Sequence, residues 1–476
     1  MASRTSRPLL VLSIAALVPA AACGALAVYA NGRAHPATAT APEVTVAPQQ
    51  PAPLATPLLS VRRSPVVLAA DRRADVLDAA VARLAESVDE QSCLSLAFDD
   101  SILVARHADL AVIPASNLKI VTAAVAVDVL GVGFTFTTTV LGPAPQDGVV
   151  DGDVYLVGGG DPVLSEQWYA QPSTSHKRPP THTTSVEALA DAMVAAGVTR
   201  ITGQVLGDGG RYDDERYPPG WADDVRASPD GGAVGALVVN DSRTSSGKQR
   251  NDPADSAAAT FAGLLAARDV AIDGGSGTGT ATAGLGVLAS VQSAPLGDIV
   301  NELLATSDNL TAEMMVKEIG LAVVQRGTRA DGLQAMIDRL VLWGVPTAGV
   351  VFTDGSGLSQ DNRLTCDTLA AVLRRGSALD AVGAGLARAG QDGSTLADAF
   401  GQEGLVGVLQ AKTGTLHNPQ EVKSLSGYYV TGDDEVAFVL LLNGPAATEY
   451  ESAWAALGAA LVAAAASPAA ATLAPA

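Results

Sequence analysis

The chain has 476 residues, 48% of them hydrophobic, with a formal net charge of −20, so it can bury a large core in two domains or more. The acidic balance argues against nucleic acid and anionic lipid as partners, but says little about a wall polymer recognised through local groups. Five histidines and three cysteines form no carboxylate, histidine or cysteine constellation at ligand spacing, so neither a metal nor another cofactor is expected.

Residues 1–30 carry Arg4 and Arg7 and then run almost unbroken through apolar or small residues from Pro8 to Ala30. This is the pattern of a signal peptide or an uncleaved signal anchor. Residues 31–72, rich in Ala, Pro and Thr, read as a tether. Either version puts the rest of the chain outside the cytoplasmic membrane, in the cell wall or periplasmic space, with the membrane met only through the N-terminal segment.

An amphipathic helix is expected over Asp75–Glu86, followed by a hairpin of Ser95–Phe98 and Ile102–Ala105. Pro114-Ala-Ser116 then opens a helix that runs from Ile120 to Leu130 and ends at Gly131. Ser116 and Lys119 stand about one turn apart and share a face. A serine hydroxyl needs a base within reach, and a lysine serves when burial pushes it toward the neutral amine.

Between residues 142 and 288 a separate α+β unit is expected, with a helix over Ser185–Ala196 and a strand over Thr199–Leu206. Helical patterns return from 296 to 345, interrupted by Ser307-Asp-Asn309 in a helix-to-helix loop, and again from 365 to 400. There Ser307 suits a proton relay, and the Asn309 amide suits positioning of a substrate carbonyl and the Lys119 amine. Val406 to Thr415 alternates as a strand, and two more strands, Ser424–Val430 and Val436–Asn443, suggest an antiparallel meander joined to the first hairpin in one sheet. Within it Lys412-Thr-Gly-Thr415 offers a cation and two hydroxyls, at Thr413 and Thr415, for an anionic carboxylate. Gly414 leaves room for a ligand backbone to lie against the strand. Cys93 and Cys366 can pair in an oxidising compartment, but their apolar flanks favour unpaired core residues.

Each of the three strings alone has an ordinary explanation: a chance pattern on a solvated helix, capping residues, a solvated lysine beside a hairpin. In this order and these settings they match the S-x-x-K, S-D-N and K-T-G signature of penicillin-binding proteins and class A β-lactamases. Ser116 and Ser307 lie about 190 residues apart by their numbering. With that spacing the chain resembles the low-molecular-weight class C penicillin-binding proteins of the D-alanyl-D-alanine carboxypeptidase/endopeptidase type, peptidase family S13. Gly152–Pro162, Ile201–Asp208, Asp354-Gly-Ser-Gly-Leu-Ser359 and Ser424-Leu-Ser-Gly427 carry the likeness further, which spans roughly residues 75 to 445. Two features depart from the family: the insertion is shorter than in its longest members, and the loop His417–Lys423 is longer than expected.

The resemblance implies an α+β fold, a transpeptidase-like (β-lactamase-like) catalytic domain of residues 73–141 and 289–463 with an antiparallel sheet flanked by helices. An inserted α+β domain of residues 142–288 interrupts it, and residues 464–476 form a flexible tail. It implies a serine D-Ala-D-Ala carboxypeptidase acting on peptidoglycan stem peptides through an acyl-enzyme, with D,D-endopeptidase action on crosslinks a further expectation and β-lactam antibiotics as covalent inhibitors. Ser116, Lys119, Ser307 and Asn309 are the implied catalytic residues, and Lys412, Thr413, Gly414 and Thr415 the implied substrate-binding ones. The alternatives are a serine β-lactamase, which uses the same residues, and a non-catalytic wall-binding protein, whose motifs would be broken.

Overall fold

The computed structural model describes residues 75, 79, 81, 82, 84–98, 101–171, 179–431 and 434–465. The expected signal or anchor and the tether lie outside the described residues, as does the tail from residue 466. Among the described residues no helix is long and apolar enough to cross a membrane.

The described positions of the first expected helix are helical, and β1 (Cys93–Phe98) and β2 (Ser101–Arg106) form the hairpin. A 3-10 turn at Ala115–Asn117 leads into α1 (Leu118–Leu130), which stops where Gly131 takes φ +86°. The inserted stretch contributes β3 (Thr137–Gly142), β4 (Val154–Val157), α2 (Val186–Ala195), β5 (Val205–Asp208), α3 (Pro253–Ala266), β6 (Ser276–Thr278) and β7 (Gly286–Gln292). Helices α4 (Leu296–Thr306), α5 (Asn309–Val324), α6 (Arg329–Leu342) and α7 (Cys366–Leu373) follow. The short β8 (Ala387–Arg388), the meander β9 (Leu409–Leu416), β10 (Val422–Thr431) and β11 (Asp434–Asn443), and α8 (Tyr450–Ala465) complete the described chain. Local chemistry sets several helix starts. Ser185, Asp252, Asp308, Thr328 and Thr365 each accept a backbone N–H from three residues ahead, and Pro253 fills the first turn of α3.

The main sheet runs β8-β9-β10-β11-β1-β2, so the early hairpin and the late meander do join through the antiparallel β1·β11 pair. Side-chain alternation gives it two apolar faces. Val439 and Leu441 pack with α1 and the α4–α7 region, while Phe438, Leu440 and Leu442 pack with α8 and Leu84. The inserted stretch has its own core around Val154, Leu189, Ile201 and Phe261, beneath a sheet ordered β6-β5-β4-β3-β7.

Three expectations change. The single strand over Thr199–Leu206 is two: Arg200–Ile201 pairs in a separate three-stranded sheet, and the chain crosses at Thr202–Gln204 into β5. Gly203 permits the crossing, since a Cβ there would lie 2.3 Å from Asp153 Oδ1. The helical pattern expected to reach 400 ends at Leu373; beyond it Gly390 and Gly393 take positive φ and the chain proceeds by turns. Finally, Cys93 and Cys366 are bonded to each other, with Cα atoms 5.9 Å apart, inside the range a bridge requires. Their apolar flanks did signal burial, but a buried bridge needs the same flanks, and a sequence separation of 273 conceals that β1 and the start of α7 are neighbours.

Candidate active site

Ser116 sits in the 3-10 turn and Lys119 in the first turn of α1, so local helical geometry alone brings them together. Lys119 is fully buried, and its Nζ lies 3.0 Å from Ser116 Oγ, 2.5 Å from Asn309 Oδ1 and 2.6 Å from the Ser356 carbonyl oxygen. Burial pulls the Lys119 ammonium down from its ordinary value to about 8, against the opposing pull of Asp354, Glu313, Asp308 and Asp230. Two of its three neighbours are carbonyl oxygens, which can only accept. A neutral amine therefore spends its two N–H groups on Asn309 and Ser356, and its lone pair is left facing the Ser116 hydroxyl.

The Ser307-Asp-Asn309 turn is shaped by two caps. Ser307 ends α4 in the left-handed region at φ +67°, and Asp308 starts α5 by accepting the Thr311 N–H at 2.8 Å. The capping reading of this string is thus correct for Asp308, and the turn also delivers Asn309 to Lys119. The second end of the Asn309 amide donates to Asp230 O of the inserted stretch at 2.8 Å. Among the described residues the Ser307 side chain makes no hydrogen bond to Ser116 or Lys119. It instead lines a pocket beside the turn, walled by Pro162, Tyr169, Asp230, Asp241 and Arg243.

Strand β9 closes the other side. Lys412 is buried, with Nζ 2.8 Å from Thr413 O, and its backbone carbonyl accepts from Asn117 Nδ2 at 3.0 Å. Asn117 also donates to Ser424 Oγ, which in turn donates to Pro114 O, so β9, β10 and the Ser116 turn are tied by one short network. The space that Gly414 leaves is taken by the protein itself: a Cβ there would fall 2.1 Å from Ser424 Oγ, 2.9 Å from Ala115 Cβ and 3.0 Å from Ser116 N. Strand alternation puts Lys412 and Gly414 toward that turn and Thr413 and Thr415 on the opposite face, where Lys423 Nζ donates to Thr415 Oγ1 at 3.2 Å. Because β8 pairs only with Gln410 and Ala411, residues 412–416 present an outer strand edge among the described residues.

Several participants had no role assigned from sequence, although Asp354, Ser356 and Gly357 lie in a string that carries the family likeness. Ser356 acts through its backbone carbonyl, which leaves no letter in the sequence, and Gly357, at φ +82°, lets its loop pass so close that a Cβ would meet Ala115 O at 1.9 Å. Gln360 secures the unusually long hairpin loop, donating to the carbonyls of His417, Asn418 and Gln420 at 2.9–3.1 Å and accepting from Gln420 N. Asp354 accepts from Gly357 N, Ser359 N, Asn362 Nδ2 and Trp221 Nε1, which fixes this loop against the inserted stretch.

Comparison with known proteins gives the family and the fold. Residues 77–250 and 233–464 match the model of the D-Ala-D-Ala carboxypeptidase 3 (S13) family. The chain is 30% identical over 425 residues to a D-alanyl-D-alanine carboxypeptidase of an Actinomadura species, covering 72% of this chain and 75% of that protein. It is also 30% identical over 325 residues to a carboxypeptidase of Mycobacterium tuberculosis, covering 65% and 66% respectively. Among solved structures, penicillin binding protein 4 of Haemophilus influenzae superposes with a TM-score of 0.64 at 19% identity, over 79% of this chain and 99% of that one. That likeness establishes the penicillin-binding α+β fold. With the family model spanning most of the chain and a relative of this identity over most of both lengths, the chain belongs to the D-Ala-D-Ala carboxypeptidase 3 (S13) family of serine peptidases.

Proposed function

We propose that this protein removes the terminal D-Ala of peptidoglycan stem peptides by acyl transfer to Ser116, with Lys119 as the base. The observation that carries the reading is the Lys119 amine, 3.0 Å from Ser116 Oγ with its other neighbours limited to acceptors. Ser116 attacks the penultimate D-Ala carbonyl and Lys119 takes its proton. Ser307, which lines the adjoining pocket, returns a proton to the departing D-Ala amine, and Asn309 keeps Lys119 in place. The backbone N–H groups of Ser116 and Thr415 receive the oxyanion, a role supported by how closely β9 approaches the Ser116 turn at Gly414. The free edge of β9 pairs with the substrate backbone, and the terminal carboxylate lies at that edge, reached by Lys412 from the Ser116 face and by the Thr413 and Thr415 hydroxyls from the opposite one. Water then hydrolyses the ester.

A crosslink presents the same D-Ala acyl group with a longer leaving amine, so D,D-endopeptidase action belongs to the same proposal. The reaction takes place outside the cytoplasmic membrane, with the N-terminal segment serving export or anchoring. The catalytic domain is made of the chain before β3 and after β7, and the inserted one of the chain from β3 to β7, a few residues wider at each end than the expected 142–288.

Intact-protein mass spectrometry after incubation with benzylpenicillin is expected to show one long-lived adduct on the peptide containing Ser116, with stem monomers losing one D-Ala in a parallel digest. Ser116→Ala and Lys119→Ala should each abolish both, and their combination should cost little more, because the pair acts as a unit. Rapid drug hydrolysis without an adduct would make the protein a β-lactamase. An intact drug with no adduct would make it a non-catalytic wall-binding protein.

A further inference from the structure

Glu313 is 2% exposed, carries a carboxylate, and has no part in the chemistry described so far. It lies four residues after Asn309 on α5, hence on the same helix face. Its Oε1 accepts Ser356 N–H at 2.7 Å and Gly355 N–H at 3.1 Å, and its Oε2 accepts Gly355 N–H at 3.1 Å. Burial first, and then the neighbouring Asp354, push its carboxyl up to about 8, while the Ser356 and Gly355 hydrogen bonds pull it back. Among the described residues no cation pairs with it. A buried carboxylate without a cation is costly, so Glu313 is held largely protonated at neutral pH and ionises only around pH 8, with the Gly355 and Ser356 N–H groups offsetting part of the cost.

The segment it grips is the one that meets Lys119. Thr122 Oγ1 of α1 donates to Gly355 O at 2.7 Å, and Gly355 lies flush on α5, since a Cβ there would fall 2.2 Å from Val316 Cγ2. The Ser356 carbonyl then receives Lys119 Nζ at 2.6 Å. Asn309 thus acts on the lysine directly and Glu313 acts on it through one backbone link. The charged groups facing Lys119 are Glu313 and Asp308 from the α5 side, Asp354 from the loop and Asp230 from the inserted stretch.

We propose that Glu313 is a positioning residue for the Ser116–Lys119 pair: by holding the Gly355 and Ser356 N–H groups it sets the Ser356 carbonyl, which takes one lysine N–H and turns the amine lone pair toward Ser116. The inference rests on Lys119 being the base.

The test is single-turnover acylation of the purified protein by benzylpenicillin across the pH range, followed by intact-protein mass spectrometry, with thermal unfolding measured alongside. Glu313→Gln keeps the length but puts an NH2 group where Oε2 accepts the Gly355 N–H, and removes the negative charge that an ionised Glu313 brings near Lys119. Its plateau rate should fall about tenfold or more, and the midpoint of its pH profile should move down. Glu313→Asp keeps the charge but loses the reach, so its plateau should fall with the midpoint near that of the wild type. Rates within about twofold of wild type in both variants, or losses that follow only the folded fraction, would overturn the proposal. Should Glu313→Gln not accumulate as folded protein, Glu313→Asp decides by the same criterion. Lys119→Ala separates the two levels: if it is still acylated at the wild-type rate, both readings fail, and if it is dead while the Glu313 variants match wild type, only the positioning role is lost.

Discussion

A lysine is a base only where its charge is unwelcome, and Lys119 meets that condition by burial at a cost the surrounding carboxylates partly offset. The sign follows directly. Deprotonation creates the base, so acylation should climb about tenfold per pH unit on the acid side and level off above about 8. Benzylpenicillin acylation rates measured against pH check this, and a profile flat between neutral and pH 9 would contradict it. Lys412 is argued at the same scale. If it binds the terminal carboxylate, Lys412→Ala should cost about 2 kcal/mol, roughly thirtyfold in kcat/KM, on free-acid peptides and far less on C-terminally amidated ones. Equal losses on both would give Lys412 another task. The residues proposed to do chemistry through their side chains stood out in the sequence because such a reaction demands their types at a fixed spacing. Ser356 was not, since a backbone carbonyl has no signature. Glu313, Lys317 and Glu318 were not either, because charges at helical spacing resemble a solvated face. In the fold they are buried, Lys317 bonding to Asp213 at 2.5 Å and Glu318 to Tyr212 at 2.8 Å as the inserted stretch covers α5.

Elements position these residues by close approach, and two glycines set the distances. The Ser116 turn is held between Gly357 on one side and Gly414 on the other, each bare of a side chain that would strike Ala115. Gly357 carries the further demand of φ +82°, a region costly for any residue with a Cβ. Gly357→Ala should therefore lower stability by about 2–4 kcal/mol and displace the turn, reducing acylation by about a hundredfold or more in the protein that still folds. Urea unfolding and penicillin acylation measure the two effects separately. Normal acylation in a destabilised variant would show that the loop does not hold the nucleophile. The elements themselves were largely readable, since α1, the capped α4–α5 turn and the β9–β11 meander follow from periodicity and cap residues. The Asp354–Ser359 string was visible only as a likeness, because its function is to pack against a turn more than 200 residues earlier, a contact no local pattern encodes. The same is true of Gln360, which clasps the hairpin loop through main-chain carbonyls.

At the scale of the molecule the catalytic sheet is assembled from chain ends: β1 and β2 come before the insertion and β9–β11 after it, joined at β1·β11. Such a sheet forms only after a long loop has closed, which is entropically expensive and rewarded late. The Cys93–Cys366 bond spans 273 residues of that loop and ties β1 to the start of α7 within the core that also holds α1. Cross-linking so long a segment removes chain entropy from the unfolded state, worth about 5.6 kcal/mol in the loop-closure estimate and commonly about 2–4 kcal/mol in practice. Neither cysteine touches the Ser116 site, so the effect should appear in stability and leave chemistry in the folded fraction intact. Cys93→Ala/Cys366→Ala is expected to unfold at markedly lower urea than the oxidised wild type, by about 2–4 kcal/mol, while acylating at the wild-type rate where folded. Reductant should lower the wild-type midpoint and leave that of the variant unchanged. Coincident urea midpoints for oxidised, reduced and doubly substituted protein would mean that packing alone holds β1 against α7 and that the bridge contributes no stability.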